Sequence, residues 1–187
     1  MTENRYRAAA WISFTEAFMV VPLLLILFLF GATNSVGFVP LVILFSLAAY
    51  ALTIVMMVKL LDLVHEKYES RSLDTPVAVT LVMGGVMLLT GLVMLVIGAD
   101  GPIALLITAL PVTAAAVAGL VLGVRILKLP GELGGLKIAL GVTMICGWAL
   151  ALTFFLSPLA MLVQVLESIL LGLVFLRADR SEIPEFV

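Results

Sequence analysis

The sequence predicts an all-α, polytopic membrane protein whose six transmembrane helices form three hairpins, and three observations predict it. The chain of 187 residues is 64% apolar, with a mean hydropathy of +1.30, against about 45–50% apolar usage in soluble domains. Its apolar residues fall in six runs, each suited to a hydrocarbon core about 30 Å thick, which takes about 20 helical residues to cross. Its ten basic residues stand only at alternate ends of those runs. Arg5 and Arg7 precede the first run, and Lys59, Lys67 and Arg71 follow the second. Arg125, Lys128 and Lys137 separate the fourth from the fifth, and Arg177 and Arg180 follow the sixth. The connections at 31–37, 99–101 and 157–158 contain no Lys or Arg. Cytoplasmic loops are the ones enriched in these residues, so both termini are expected in the cytoplasm.

The first span covers 8–30. Arg5 and Arg7 ahead of an apolar stretch resemble the start of a secretory signal, but no small-x-small cleavage site leads into a soluble domain, so a retained helix is expected. The second span, 38–58, opens near Pro40, where a missing N–H is harmless at a helix start. Residues 59–71 continue it as a cytoplasmic extension, because 59–67 keeps helical apolar spacing while acquiring charges. The third span is 76–97. The fourth, 102–127, is stopped by Leu129, Pro130 and Gly131. Gly134 and Gly135 lead into the fifth, 136–156, and the sixth is 158–176. Joining the last two would give a span about twice the required length, so a turn is expected at Ser157 and Pro158. The tail at 178–187 is short, and 1–187 is read as a single membrane domain.

A shift of 56 residues superposes Gly85 and Val86 on Gly141 and Val142, Gly91 on Gly147, and Pro102 on Pro158. Ala104, Leu106 and Leu110 fall on Ala160, Leu162 and Leu166 in the same gapless register. The second and third hairpins are thus related as an internal repeat.

Glu167 is the outlier among polar residues. It lies nine residues after Pro158 and ten before Arg177, about 14 Å from either end at helical rise. An ionised carboxylate at such depth costs about 2.5 kcal/mol or more, and no Lys or Arg is placed to pair with it. Gln164 and Ser168 complete a short polar patch. The candidate proton or cation site comprises Glu167, Gln164, Trp148 and Pro111. Trp148 shares the depth of Glu167 across the expected turn, and its indole offers an N–H donor or a cation-binding face. Pro111 falls on Glu167 under the 56-residue shift and frees a backbone carbonyl in the fourth span. Interrupted helices at corresponding repeat positions point to a midplane transport site. Against this stand a protonated Glu167 in a packing contact, a simple kink at Pro111 and a packed Trp148. Glu16, about 7 Å deeper than Trp11, forms with Ser13 and Thr15 a possible cytoplasmic mouth, or merely an acid within reach of interfacial water.

Small residues mark packing faces. Ala115, Gly119 and Gly123 recur every four residues, and Gly84, Gly91 and Gly98 every seven. His65, the only histidine, lies among charged neighbours on the cytoplasmic extension, which leaves His-based catalysis and zinc or bis-histidine haem ligation unsupported. No phosphate-binding loop or dinucleotide glycine pattern occurs, and Cys146 is the single cysteine. With 12% charged residues and no basic stripe, nucleic-acid binding is unsupported. Neither an enzyme nor a cofactor or metal is expected.

The Gly85, Val86, Gly91, Pro102 pattern, repeated at Gly141, Val142, Gly147 and Pro158, resembles the small six-helix bacterial inner-membrane proteins of the HdeD type. The resemblance covers the third to sixth spans. It implies an inner-membrane location and a stress-related role, with no catalytic residues to carry over and no explanation for Glu167. Two functions stand at this point. One is a non-enzymatic, stress-related or complex-associated membrane protein, partnered by the bilayer and by a homo-oligomer or a membrane complex. The other is a small proton- or cation-coupled permease or exporter centred on Glu167.

Overall fold

The computed structural model describes residues 5–33, 36–98, 102–129, 134–153 and 157–180. Helix α1 is Arg5–Thr33, and a short 3-10 turn at Val36–Phe38 leads into α2, Val39–Tyr68. Then follow α3 (Asp74–Ile97), α4 (Pro102–Lys128), α5 (Gly134–Leu152) and α6 (Ser157–Arg180). Among the described residues there is no strand, and each of the six helices is long and apolar enough to cross a membrane. The chain is therefore a multi-pass helical membrane protein. The stops expected at 99–101 and at Pro130 and Gly131, and the tail at 181–187, lie outside the described residues.

Several helices run beyond the expected apolar spans. α1 begins at Arg5, α2 runs on to Tyr68 as the expected extension, and α6 reaches Arg180. α5 is shorter, ending at Leu152, and residues 154–156 lie outside the described part. A proline inside α1, Pro22, joins Pro111 inside α4 as a position with no N–H to give.

Every helix packs on its sequence neighbours, and α6 returns to α1, which closes a six-membered ring whose least extensive seam is α2 against α3. Burial is concentrated where the basic residues cluster. Tyr6, Met56, Met57, Leu63, Leu73, Val77, Leu122, Leu140, Met144, Leu171 and Phe175 form one apolar core there. In the opposite half Phe28, Leu44, Val96, Leu110 and Leu162 are exposed, as lipid-facing side chains must be.

Polar ties close the basic end. Helix C-termini leave carbonyls without intrahelical partners, and cations are favoured there. Lys67 donates to the Ala178 carbonyl of α6 at 2.8 Å, and Lys137 donates to the Leu129 carbonyl after α4 at 2.6 Å. Arg125 donates to the Ser72 carbonyl and the Tyr6 hydroxyl to Glu66.

Candidate functional site: a buried carboxyl cluster

Just beyond the apolar core, the inward stripes of several helices turn polar together. On α2 the stripe of Met57 continues to Thr53, and on α6 that of Leu171 continues to Ser168, Glu167 and Gln164. On α1, Ala9 is followed by Ser13 and Glu16. Ser13 and Glu16 are wholly buried and Ser168 nearly so, while Glu167 keeps 8% of its surface. α3 repeats the change: Thr80 follows Leu73 and Val77, and its hydroxyl is buried with no hydrogen-bond partner.

The seam between α1 and α6 assembles the cluster in three levels. Tyr6 stacks on Phe175 with ring centroids 6.3 Å apart. Above them the Phe14 ring lies against Gly172, so closely that a methyl on Gly172 would come within 2.7 Å of the ring. This close approach brings Ser168 to Glu16, where its hydroxyl donates to Oε2 at 3.1 Å. From α2 the Thr53 hydroxyl donates to Oε1 of the same carboxyl. Gln164, whose carbonyl lies one turn before Ser168, and Glu167, its neighbour in the chain, flank this contact on α6.

Both hydroxyls have a second choice. Thr53 Oγ1 is 3.0 Å from the Ala49 carbonyl, and Ser168 Oγ is 3.0 Å from the Gln164 carbonyl. A hydroxyl has one proton to donate and also accepts. With Glu16 ionised, the two hydroxyls donate to its oxygens. With Glu16 protonated, its O–H donates to a hydroxyl oxygen while the hydroxyls turn back to their own helices. Neither state leaves Glu16 unpaired, so proton gain and loss carry no orphaned-partner penalty of about 1–3 kcal/mol.

The candidate residues separate in space. Glu16, expected at a cytoplasmic mouth, is wholly buried and bonded to Ser168, the chain neighbour of Glu167. Trp148 turns instead to α4, where its indole lies flat on Gly119, so that a methyl there would sit 2.2 Å from Nε1. Pro111 belongs to α4, whose neighbours are α3 and α5, whereas the acids lie between α1, α2 and α6. The repeat register joined residues that the ring does not bring into one cluster. Thr53 and Gly172 are the members that sequence reasoning missed. A threonine mid-span in α2 was a signal of polarity, but nothing in the pattern gave it a partner.

The small-residue stripes also divide. Ala115 is fully buried, and Gly123 and Gly141 let α4 and α5 meet, each Cβ position lying 3.0 Å from the other's carbonyl oxygen. Gly84 lies beside Tyr50, but Gly91 faces open space. Gly98 caps α3 in the left-handed region, with φ +63° and its N–H on the Met94 carbonyl. The seven-residue spacing therefore does not make one packing face. Among the described residues, no group of three His, Cys, Asp or Glu side chains could hold a metal.

Comparison with known proteins finds no matching family model, no matching curated protein and no matching solved structure.

Proposed function

We propose that the chain is a small proton-linked permease or exporter of a bacterial inner membrane, with both termini cytoplasmic, in which Glu16 and Glu167 exchange protons during transport. One observation carries this reading: a wholly buried acid, Glu16, whose two hydroxyl partners each have an alternative acceptor, beside a second acid with no basic residue at that depth. Intramembrane acids face cavities or proton paths far more often than lipid. A purely structural cluster has no need of partners that suit both protonation states. The non-enzymatic reading rests on the want of a catalytic motif and on the small-residue stripes, and its stress-related part on the glycine and proline spacing of the resemblance. The orientation rests on the one-sided basic residues; it is expected that Glu69→Cys in a Cys146→Ser background is not labelled from outside intact cells, and labelling there would overturn it.

The test is flux in proteoliposomes carrying a pH-sensitive dye. Wild-type protein is expected to dissipate an imposed pH gradient, and Glu16→Gln and Glu167→Gln each to slow this by about tenfold or more, as loss of a proton-carrying group does. Equal fluxes from all three proteins, or none from the wild type under any applied gradient, contradict the proposal.

A further inference from the structure

On the outward side of α3 and α4, which do not carry the carboxyl cluster, lies a shallow, open groove of about 540 Å³. Val79, Leu110, Val117 and Val121 line its sides and are exposed, while the small Ala114 and Ala118 form its floor. Between Leu110 and Arg125 it follows α4 for 15 residues, about 22 Å at helical rise. One leaflet of a hydrocarbon core about 30 Å thick is about 15 Å deep. Along α4 this length matches the depth of one leaflet, and the end at Arg125, where Thr75, Pro76 and Val79 supply the second wall, is the end that carries the basic residues. In a bilayer, an apolar groove of that direction is filled by an acyl chain.

What distinguishes this groove from ordinary lipid contact is its end. Arg125 and Thr75 line it there. Arg125 uses a guanidinium nitrogen to hold the Ser72 carbonyl, and a guanidinium has five N–H donors, so donors remain for a headgroup. Among the described residues no carboxylate pairs with Arg125. The nearby acid, Asp74, is engaged by His65 at 2.6 Å. Lys128, one turn beyond Arg125, and Arg71, next to Ser72, are both exposed and add positive charge. Thr75 stands in the first turn of α3, where the helix dipole also favours an anion.

We propose that this groove is a specific site for an anionic phospholipid, its phosphate held by Arg125 and Thr75 and one acyl chain lying along α4. Basic pockets between transmembrane helices suit anionic headgroups for this electrostatic reason. A zwitterionic lipid offers the same chain but a headgroup cation that the local arginines and lysine repel.

Native mass spectrometry of the detergent-purified full chain tests this, with dioleoyl-phosphatidylglycerol and dioleoyl-phosphatidylcholine titrated separately. Phosphatidylglycerol is expected to be retained about tenfold more tightly, and Arg125→Gln to abolish that preference. Because Arg125 also ties the Ser72 carbonyl, a second variant, Ala114→Phe, fills the groove without touching the cation and is expected to lose the bound lipid. Equal retention of the two lipids by the wild type, or undiminished phosphatidylglycerol binding by Ala114→Phe, overturns the proposal. So does a disulfide-linked dimer formed by Val117→Cys in a Cys146→Ser background, since the groove would then hold a second copy of the chain.

Discussion

At the scale of single residues, the two threonines that face the interior make opposite demands. Thr53 satisfies one oxygen of Glu16, whereas the Thr80 hydroxyl is buried with no partner. Replacing a hydroxyl by a methyl of equal shape removes a needed donor in the first case and an unmet cost in the second. Thr53→Val is therefore expected to lower stability by about 1–3 kcal/mol. Thr80→Val is expected to leave stability unchanged or raise it by about 1 kcal/mol. Thermal unfolding of the purified protein in one detergent measures both, and equal destabilisation by the two variants contradicts the assigned pairing. Glu167 and Gln164 were legible in the sequence because a polar residue is conspicuous in an apolar run. The part played by Glu16 was not, since depth from Trp11 does not say which neighbour the side chain meets.

At the scale of helix pairs, glycines decide how closely two backbones approach, and spacing alone does not say which glycines do so. Gly172 against Phe14 sets the α1–α6 distance on which the Glu16 to Ser168 hydrogen bond depends. Gly123 against the Gly141 carbonyl and Ile145 sets that of α4 and α5. Gly91 meets nothing. In the Gly172→Ala and Gly123→Ala variants the added methyl forces neighbours apart, at a cost of about 1–3 kcal/mol. Gly91→Ala is expected to gain up to about 1 kcal/mol through helix propensity. The same unfolding assay ranks the three, and a loss at Gly91 equal to that at Gly172 refutes the ranking. Gly172→Ala is also expected to slow proton flux, because it moves α1 away from the Ser168 donor.

At the scale of the whole molecule, packing is uneven: the core lies at the end that carries the basic residues, and the other half turns its large side chains to lipid. Leu122 and Leu171 are fully buried, while Leu44 and Leu162 are exposed. Leu122→Ala and Leu171→Ala are expected to cost about 2–5 kcal/mol. Leu44→Ala and Leu162→Ala, which exchange a side chain between lipid and lipid, are expected to cost under about 1 kcal/mol. Similar losses at all four positions are incompatible with a core confined to the basic end.

The sequence alone determined the six spans and the clustering of charge at alternate ends, and it singled out Glu167 at mid-depth. These features are local: hydropathy sums over about 20 consecutive residues, and a charge is excluded from hydrocarbon whatever its neighbours are. Only the tertiary structure decided that α6 closes against α1, and so that Ser168 meets Glu16 across 152 residues of chain while Trp148 and Pro111 stay on the α4–α5 side. The reason is that lipid and core are equally apolar. Leu44 facing lipid and Leu171 facing the core read alike in the sequence, so periodicity does not reveal which face of a span turns inward. That choice is made by close approach at a few glycines and by hydrogen bonds between helices.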